Sequence, residues 1–232
     1  MKINITQKRK SPGLKYNITI DGVVGSGKTT IARMLADRYQ MNLLPTGWIY
    51  RTVALLGIRQ KTQTINELIS IMHNQNNSIT IDLKTPGILL NREDITEELF
   101  SPEVEEIVHE LSSLYEVKTA LLKKIRELVN GRGWILEGRD CGSHILPDAD
   151  LKFFLTVSIE EALKRRQEIA PSTTLPSIVA RDREDRIKEY GHLCCPLDAI
   201  VIDTTHLKPE QVLSVIEFWI SERNEGSSHN NP

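Results

Sequence analysis

The segment Gly22-Val-Val-Gly-Ser-Gly27-Lys28-Thr29 follows directly on the apolar run Tyr16-Asn-Ile-Thr-Ile20 and leads into a helical pattern from Lys28 to Tyr39. It meets G-x-x-x-x-G-K-[ST] at every fixed position. No other feature limits the fold so tightly. A strand, a glycine-rich turn and a helix in that order place backbone N–H groups and a helix N-terminus around one anion. The glycines let the loop turn those donors inward, Lys28 brings a point charge to the β- and γ-phosphates, and Thr29 offers an oxygen to Mg²⁺. At average glycine usage the pattern would arise by chance in about one chain of this length in a hundred. With a strand before it and a helix after it, Gly22, Val23, Val24, Gly25, Ser26, Gly27, Lys28, Thr29 and Thr30 read as a nucleoside triphosphate site.

The alternation of apolar runs and helical patterns continues along the chain. Met41–Leu44, Trp134–Leu136, Leu151–Val157 and Ala199–Ile202 join Tyr16–Ile20 as strands, several of them too apolar to keep one face in water. Helical patterns at Lys28–Tyr39, Val104–Asn130, Ile159–Ile169 and Pro209–Ile220 lie where crossover connections are needed. The expected fold is therefore α/β, a doubly wound five-stranded parallel sheet carrying a P-loop. Residues 76 to 100 break the pattern, because Ser78 to Asp94 alternates apolar positions around a Thr85-Pro86-Gly87 turn. This predicts a small antiparallel inserted sheet within one domain spanning 16 to 222. Residues 1 to 15, basic at Lys2, Lys8, Arg9, Lys10 and Lys15, are expected to be a solvated tail, and residues 223 to 232 a polar tail.

Composition narrows the partners. Lys+Arg 29 against Asp+Glu 31 gives a net charge of −2, which lacks the basic excess of a duplex-binding protein, so no nucleic-acid partner is expected. Three cysteines, two of them adjacent, fit neither a disulfide framework nor a zinc site and suggest reduced thiols. No apolar run approaches the roughly 20 residues of a membrane span, and no secretory h-region precedes the first strand. The expectation is a cytoplasmic monomer with no membrane partner.

A P-loop alone does not choose among nucleotide hydrolases, kinases and binding proteins. Ile20-Asp-Gly-Val-Val-Gly-Ser-Gly-Lys-Thr-Thr30, Thr46-Gly-Trp-Ile-Tyr-Arg51, Asn91-Arg-Glu-Asp-Ile-Thr96, Ser101-Pro-Glu-Val104, Glu137-Gly-Arg-Asp-Cys-Gly142, Leu146-Pro-Asp-Ala149, Arg181-Asp182 with Asp185, and Asp203-Thr-Thr205 carry the choice. In this order, from about Ile18 to about Ile220, they resemble the motifs of bacterial cytidylate kinases. The resemblance implies an ATP- and Mg²⁺-dependent phosphotransferase acting on CMP or dCMP, with the inserted sheet as its monophosphate-binding insert and a short lid at 166 to 188. It implies Lys28, Arg139, Arg166 and Arg181 as catalytic residues. Acceptor ligands would be Arg51, His109, Lys118, Arg139, Asp140, Arg181, Asp185 and Lys188. Thr29 would hold Mg²⁺ directly and Glu137 through water.

The residues support part of this on their own terms. The Glu-Gly-Arg-Asp turn closes an apolar strand, and ligands in open parallel sheets sit beyond strand carboxyl ends. A guanidinium takes a phosphate bidentately, while a neighbouring carboxylate accepts from a base amino group or a sugar hydroxyl. A surface ion pair is the usual fate of adjacent Arg and Asp, but the position of Arg139 and Asp140 at a strand end favours a ligand site. Arg183, Arg186 and their acidic neighbours read equally well as a solvated charged helix. The chain departs from the family's pattern at Pro45, where Asp usually stands, at His109, where a Ser stands, and at Lys118 and Lys188, which replace arginines. Glu137 replaces the usual Asp. Lysine keeps the charge but loses the planar fork. The donor side is intact and the changes fall on the acceptor side. A kinase for another small monophosphate and a non-catalytic nucleotide-binding regulator remain the alternatives; no Asn-Lys-x-Asp motif supports a GTPase.

Overall fold

The computed structural model describes residues 1–6, 13–62, 64–82 and 87–228. A short strand β1 (Lys2–Thr6) precedes β2 (Ile18–Gly22), helix α1 (Lys28–Arg38), β3 (Asn42–Pro45), α2 (Thr46–Arg59) and α3 (Ile65–His73). Strands β4 (Ser78–Asp82), β5 (Gly87–Leu90) and β6 (Glu93–Asp94) lead through a 3-10 turn to α4 (Pro102–Leu111) and α5 (Tyr115–Leu128). Then come β7 (Trp134–Glu137), β8 (Leu151–Thr156), α6 (Ile159–Ile169), α7 (Leu175–Ile187), β9 (Ile200–Asp203) and α8 (Pro209–Ser228). The main sheet runs β3-β7-β2-β8-β9 with every pairing parallel. That is the expected doubly wound five-stranded sheet, and its carboxyl edge holds Pro45, Glu137, Gly22 and Asp203.

Helices cover both faces, which is why its central strands are mainly apolar. Ile18, Ile20, Ile135, Phe153 and Leu155 pack under Ile31 and Leu35 of α1 and Val212, Ile216 and Ile220 of α8. Trp134 and Leu136, one residue to either side of Ile135, face α2, α4 and α5 instead. This is the period of two expected of a strand.

The structure corrects several expectations. Lys2–Thr6 is no solvated tail: it pairs in parallel with Ser78–Asp82, and Met1 is fully buried. Ile3 and Ile5 alternate with polar residues and pack on the core, covering an edge of β4 that would otherwise be bare. The second sheet is therefore mixed, in the order β1-β4-β5-β6, with β4–β5–β6 antiparallel as expected. Lys8, Arg9, Lys10, Thr85 and Pro86 lie outside the described residues, as do 229–232. The pattern from Val104 to Asn130 is two helices, because the hydroxyls of Ser112 and Ser113 bond back to the carbonyls of His109 (3.1 Å) and Glu110 (2.6 Å) and end the first. Helix α8 runs to Ser228 where a polar tail from residue 223 was expected. Tyr16 Oη donates to Asn224 Oδ1 at 2.7 Å and ties that last stretch down.

Candidate active site

The loop after β2 has the shape its glycines require. Gly22 has φ +148 and a Cβ there would lie 2.0 Å from the Leu155 carbonyl oxygen; Gly25 has φ +72 and a Cβ 2.8 Å from Ala162 Cα of α6. Any side chain would open the loop. Gly27, also left-handed, delivers the chain to α1, whose first turn has no side-chain cap, so its N–H groups remain to meet an anion. Lys28 is buried, its Nζ donating to the Val23 carbonyl at 2.7 Å and approaching Ser26 Oγ at 3.5 Å. Burial, aided by Arg139, pushes the Lys28 ammonium below its ordinary pKa. Burial raises the Glu137 carboxyl against the pull of Lys28 and Arg139.

The second wall is the turn after β7. Asp21, fully buried, accepts from the N–H groups of Cys141 (2.9 Å) and Gly142 (2.7 Å), and so pins that turn to the P-loop strand. Burial raises its carboxyl to about 6. Arg139 donates to the Gly22 carbonyl at 2.7 Å and lies 3.2 Å from Asp185 and 3.5 Å from Asp182. Asp182 in turn accepts the N–H of Val24 at 2.9 Å, which joins α7 to the P-loop. Asp140 pairs with Lys118 at 2.7 Å, both side chains buried, and Lys118 also donates to the Gly191 carbonyl at 2.7 Å. Lys188 reaches Asp185 at 2.8 Å and Ser112 Oγ at 2.9 Å. Burial opposes ionisation of Asp185, but Arg139 and Lys188 outweigh it and hold the carboxyl below its usual range.

A third group bridges the helices. Glu105 of α4 binds Arg51 of α2 through one oxygen and Arg181 of α7 through the other. Burial works against its charge; Arg181 and Arg51 more than compensate and hold it below the ordinary carboxylate range. Arg51 also donates to the Leu99 carbonyl at 2.9 Å. Arg166 stands in the field of Arg181, Glu105, Arg51 and Arg139, and burial lowers its pKa. His109, one turn beyond Glu105, lies 3.6 Å from Glu184, and burial lowers its pKa, favouring the neutral ring.

These residues share one cleft of about 1010 Å³. Val24 to Thr30 line one end. Arg51, His109, Lys118, Glu137, Arg139, Asp140, Arg166, Arg181, Asp185 and Lys188 line the rest. Gly22 and Val23 do not line it; they stand behind the wall and act through their carbonyls. The sequence reading passed over Asp21, Glu105, Ser112 and Gly191. Asp21 sits inside the quoted motif, so its place one residue before the loop was a signal. Glu105 precedes His109 by one helical turn, and that spacing was the only hint of it.

The family model described as cytidylate kinase matches residues 18–221. A cytidylate kinase of Caldicellulosiruptor saccharolyticus is 36% identical over 216 residues, covering 88% of this chain and 96% of that protein. The chain belongs to the cytidylate kinase family. A cytidylate kinase of Geobacter sulfurreducens is 34% identical over 222 residues, covering 89% and 93%. In fold alone, the chain resembles a crystal structure of an uncharacterized protein from Eubacterium ventriosum, with a TM-score of 0.52 at 15% identity over 90% of this chain and 99% of that one. In this chain Lys118 is held by Asp140 and Gly191, and Lys188 by Asp185 and Ser112.

Proposed function

We propose that this chain transfers the γ-phosphoryl group of ATP to CMP or dCMP, giving ADP and CDP or dCDP. The observation that carries the reading is the single cleft that joins the complete P-loop to the cations Arg51, Arg139, Arg181 and Lys188. The P-loop amides and Lys28 hold the donor's phosphates, while the cations opposite hold the acceptor's. An oxygen of the acceptor phosphate attacks the γ-phosphorus in line and ADP leaves, so no covalent enzyme intermediate forms. Lys28 and Arg166 neutralise charge on the moving group, and Arg139 and Arg51 align the nucleophile. The α6–α7 lid, joined to the loop through Asp182 and Val24, excludes water that would otherwise hydrolyse ATP.

The Thr29 hydroxyl and the half-buried Glu137 carboxylate suit a divalent cation. Burial destabilises the Glu137 charge, which Lys28 and Arg139 already favour and which a cation would also satisfy. Mg²⁺ held there with the phosphates would offset charge on the β- and γ-oxygens. At the far end, Asp140 accepts from the cytosine amino group or a sugar hydroxyl, and Lys118 donates to a ring acceptor. Asp185 accepts from the sugar.

We place the enzyme in the cytoplasm as a monomer with no nucleic-acid or membrane partner. Its net charge of −2 and its three free cysteines support this. Among the described residues no helix is long and apolar enough to cross a membrane. Incubation with ATP, Mg²⁺ and CMP, followed by ³¹P NMR, tests the reaction: stoichiometric CDP and ADP are expected, and ADP with free phosphate but no CDP would refute transfer.

A further inference from the structure

Helix α4 presents Glu105, Val108, His109 and Ser112 to the cleft at helical spacing. Glu105 is the one carboxylate of the four, and its two oxygens are divided between guanidinium groups from two other helices. Arg51 has further support from the Leu99 carbonyl and from the Phe100 ring, 5.2 Å from its guanidinium carbon. Arg181 does not: its Nε is buried without a partner, so among the described residues Glu105 alone satisfies that guanidinium. A planar carboxylate taking one N–H from each of two converging arginines makes the array that a terminal phosphate group would make.

We propose that Glu105 is a built-in stand-in for the acceptor phosphate. It occupies Arg51 and Arg181, holds α7 against α2 and α4, and must be displaced by the incoming monophosphate. This rests on the reading of those arginines as acceptor-phosphate ligands. The consequence is selectivity by anchoring. A small anion offers the arginines no more than Glu105 already does, so it competes poorly with a group tethered to the chain. A nucleoside monophosphate brings a second charge and a third oxygen, and it is held at the same time through Arg139, Lys188 and the base pocket. Glu105 thus sets a weak intrinsic affinity that only an acceptor filling the whole cleft overcomes. It sets the affinity threshold of the acceptor site rather than taking part in phosphoryl transfer.

Glu105→Gln and Glu105→Ser both free the arginines, the second without leaving an amide in the gap. The protein, its P-loop filled with ADP and Mg²⁺, is titrated calorimetrically with CMP and, separately, with inorganic phosphate. Both variants are expected to bind CMP about tenfold more tightly than wild type, equivalent to about 1.4 kcal/mol. Inorganic phosphate should gain at least as much. In steady state the CMP KM falls while the ATP KM stays within twofold. CMP and phosphate binding unchanged or weaker in both variants would overturn the proposal, as would a fall in kcat with an unaltered CMP KM, which marks Glu105 as a lid brace only. If wild type binds phosphate but transfers nothing to CMP, the functional reading fails while the ratio of phosphate dissociation constants still decides the role of Glu105.

Discussion

Removing one member of the Lys118–Asp140 pair should cost this protein a large share of its stability. Lys118 is 4% exposed and Asp140 5%, and Nζ lies 2.7 Å from Oδ2. Asp140→Ala leaves a buried ammonium whose remaining partner is the Gly191 carbonyl at 2.7 Å. Lys118→Met leaves a buried carboxylate. Stranding one charge of a buried pair costs roughly 3–5 kcal/mol, against a typical total of about 5–15 kcal/mol for a domain. Lys118→Met with Asp140→Ala strands no charge, so the cycle should show about 2 kcal/mol or more of coupling. Guanidinium denaturation of the four proteins, followed by tryptophan fluorescence, measures it, since Trp134 lies fully buried on the strand that leads to Asp140. A cost below about 1 kcal/mol for Asp140→Ala, or additive single costs, would show that the pair is solvated and refute the reasoning.

Lys28→Met should leave the fold intact, since Lys28 is a buried cation disfavoured by desolvation, but should lower phosphoryl transfer by at least about a hundredfold. Turnover together with a thermal midpoint separates the two effects. Burial raises Asp21 from 3.8 to about 6, so ionising it costs the folded state stability as pH rises from about 4 to 6, with no further change above. Two pKa units correspond to about 3 kcal/mol, so wild-type stability should fall by about that much relative to Asp21→Asn between pH 4 and 7. A flat difference across that range would contradict the assignment. On the acceptor side, CMP and dCMP should exceed UMP by less than about a hundredfold in kcat/KM, two lost contacts being worth about 1.4 kcal/mol each. Lys118→Arg with His109→Ser should widen that ratio; an enzyme that is already strictly cytosine-specific would refute the reading.

What could be read from the chain follows from how each feature is built. The central strands of the main sheet are buried on both faces, so they stand out as mainly apolar runs, and the P-loop is local in sequence. Helix α2 stayed hidden because it is buried nearly all round and shows no amphipathic stripe. Helix α3 was legible in principle: Thr64 and Glu67 form a capping box before Leu68, Ile71 and Met72. Strand β1 depends on a partner more than seventy residues away, and nothing within Lys2–Thr6 names it. In the cleft, residue types were legible but their pairings were not. Lys118 meets Asp140 and Gly191 across separations of 22 and 73 residues, and the bridge through Glu105 exists only where three helices converge.

The central claim is that one cleft binds ATP at the P-loop and a cytosine monophosphate opposite it. It is tested most directly by ADP release, coupled to NADH oxidation, with CMP, dCMP, UMP and AMP offered in turn at saturating ATP and Mg²⁺. CMP and dCMP are expected to give the highest kcat/KM, with UMP lower and AMP lowest. ADP release that no monophosphate accelerates, or that AMP accelerates more than CMP, would contradict the account.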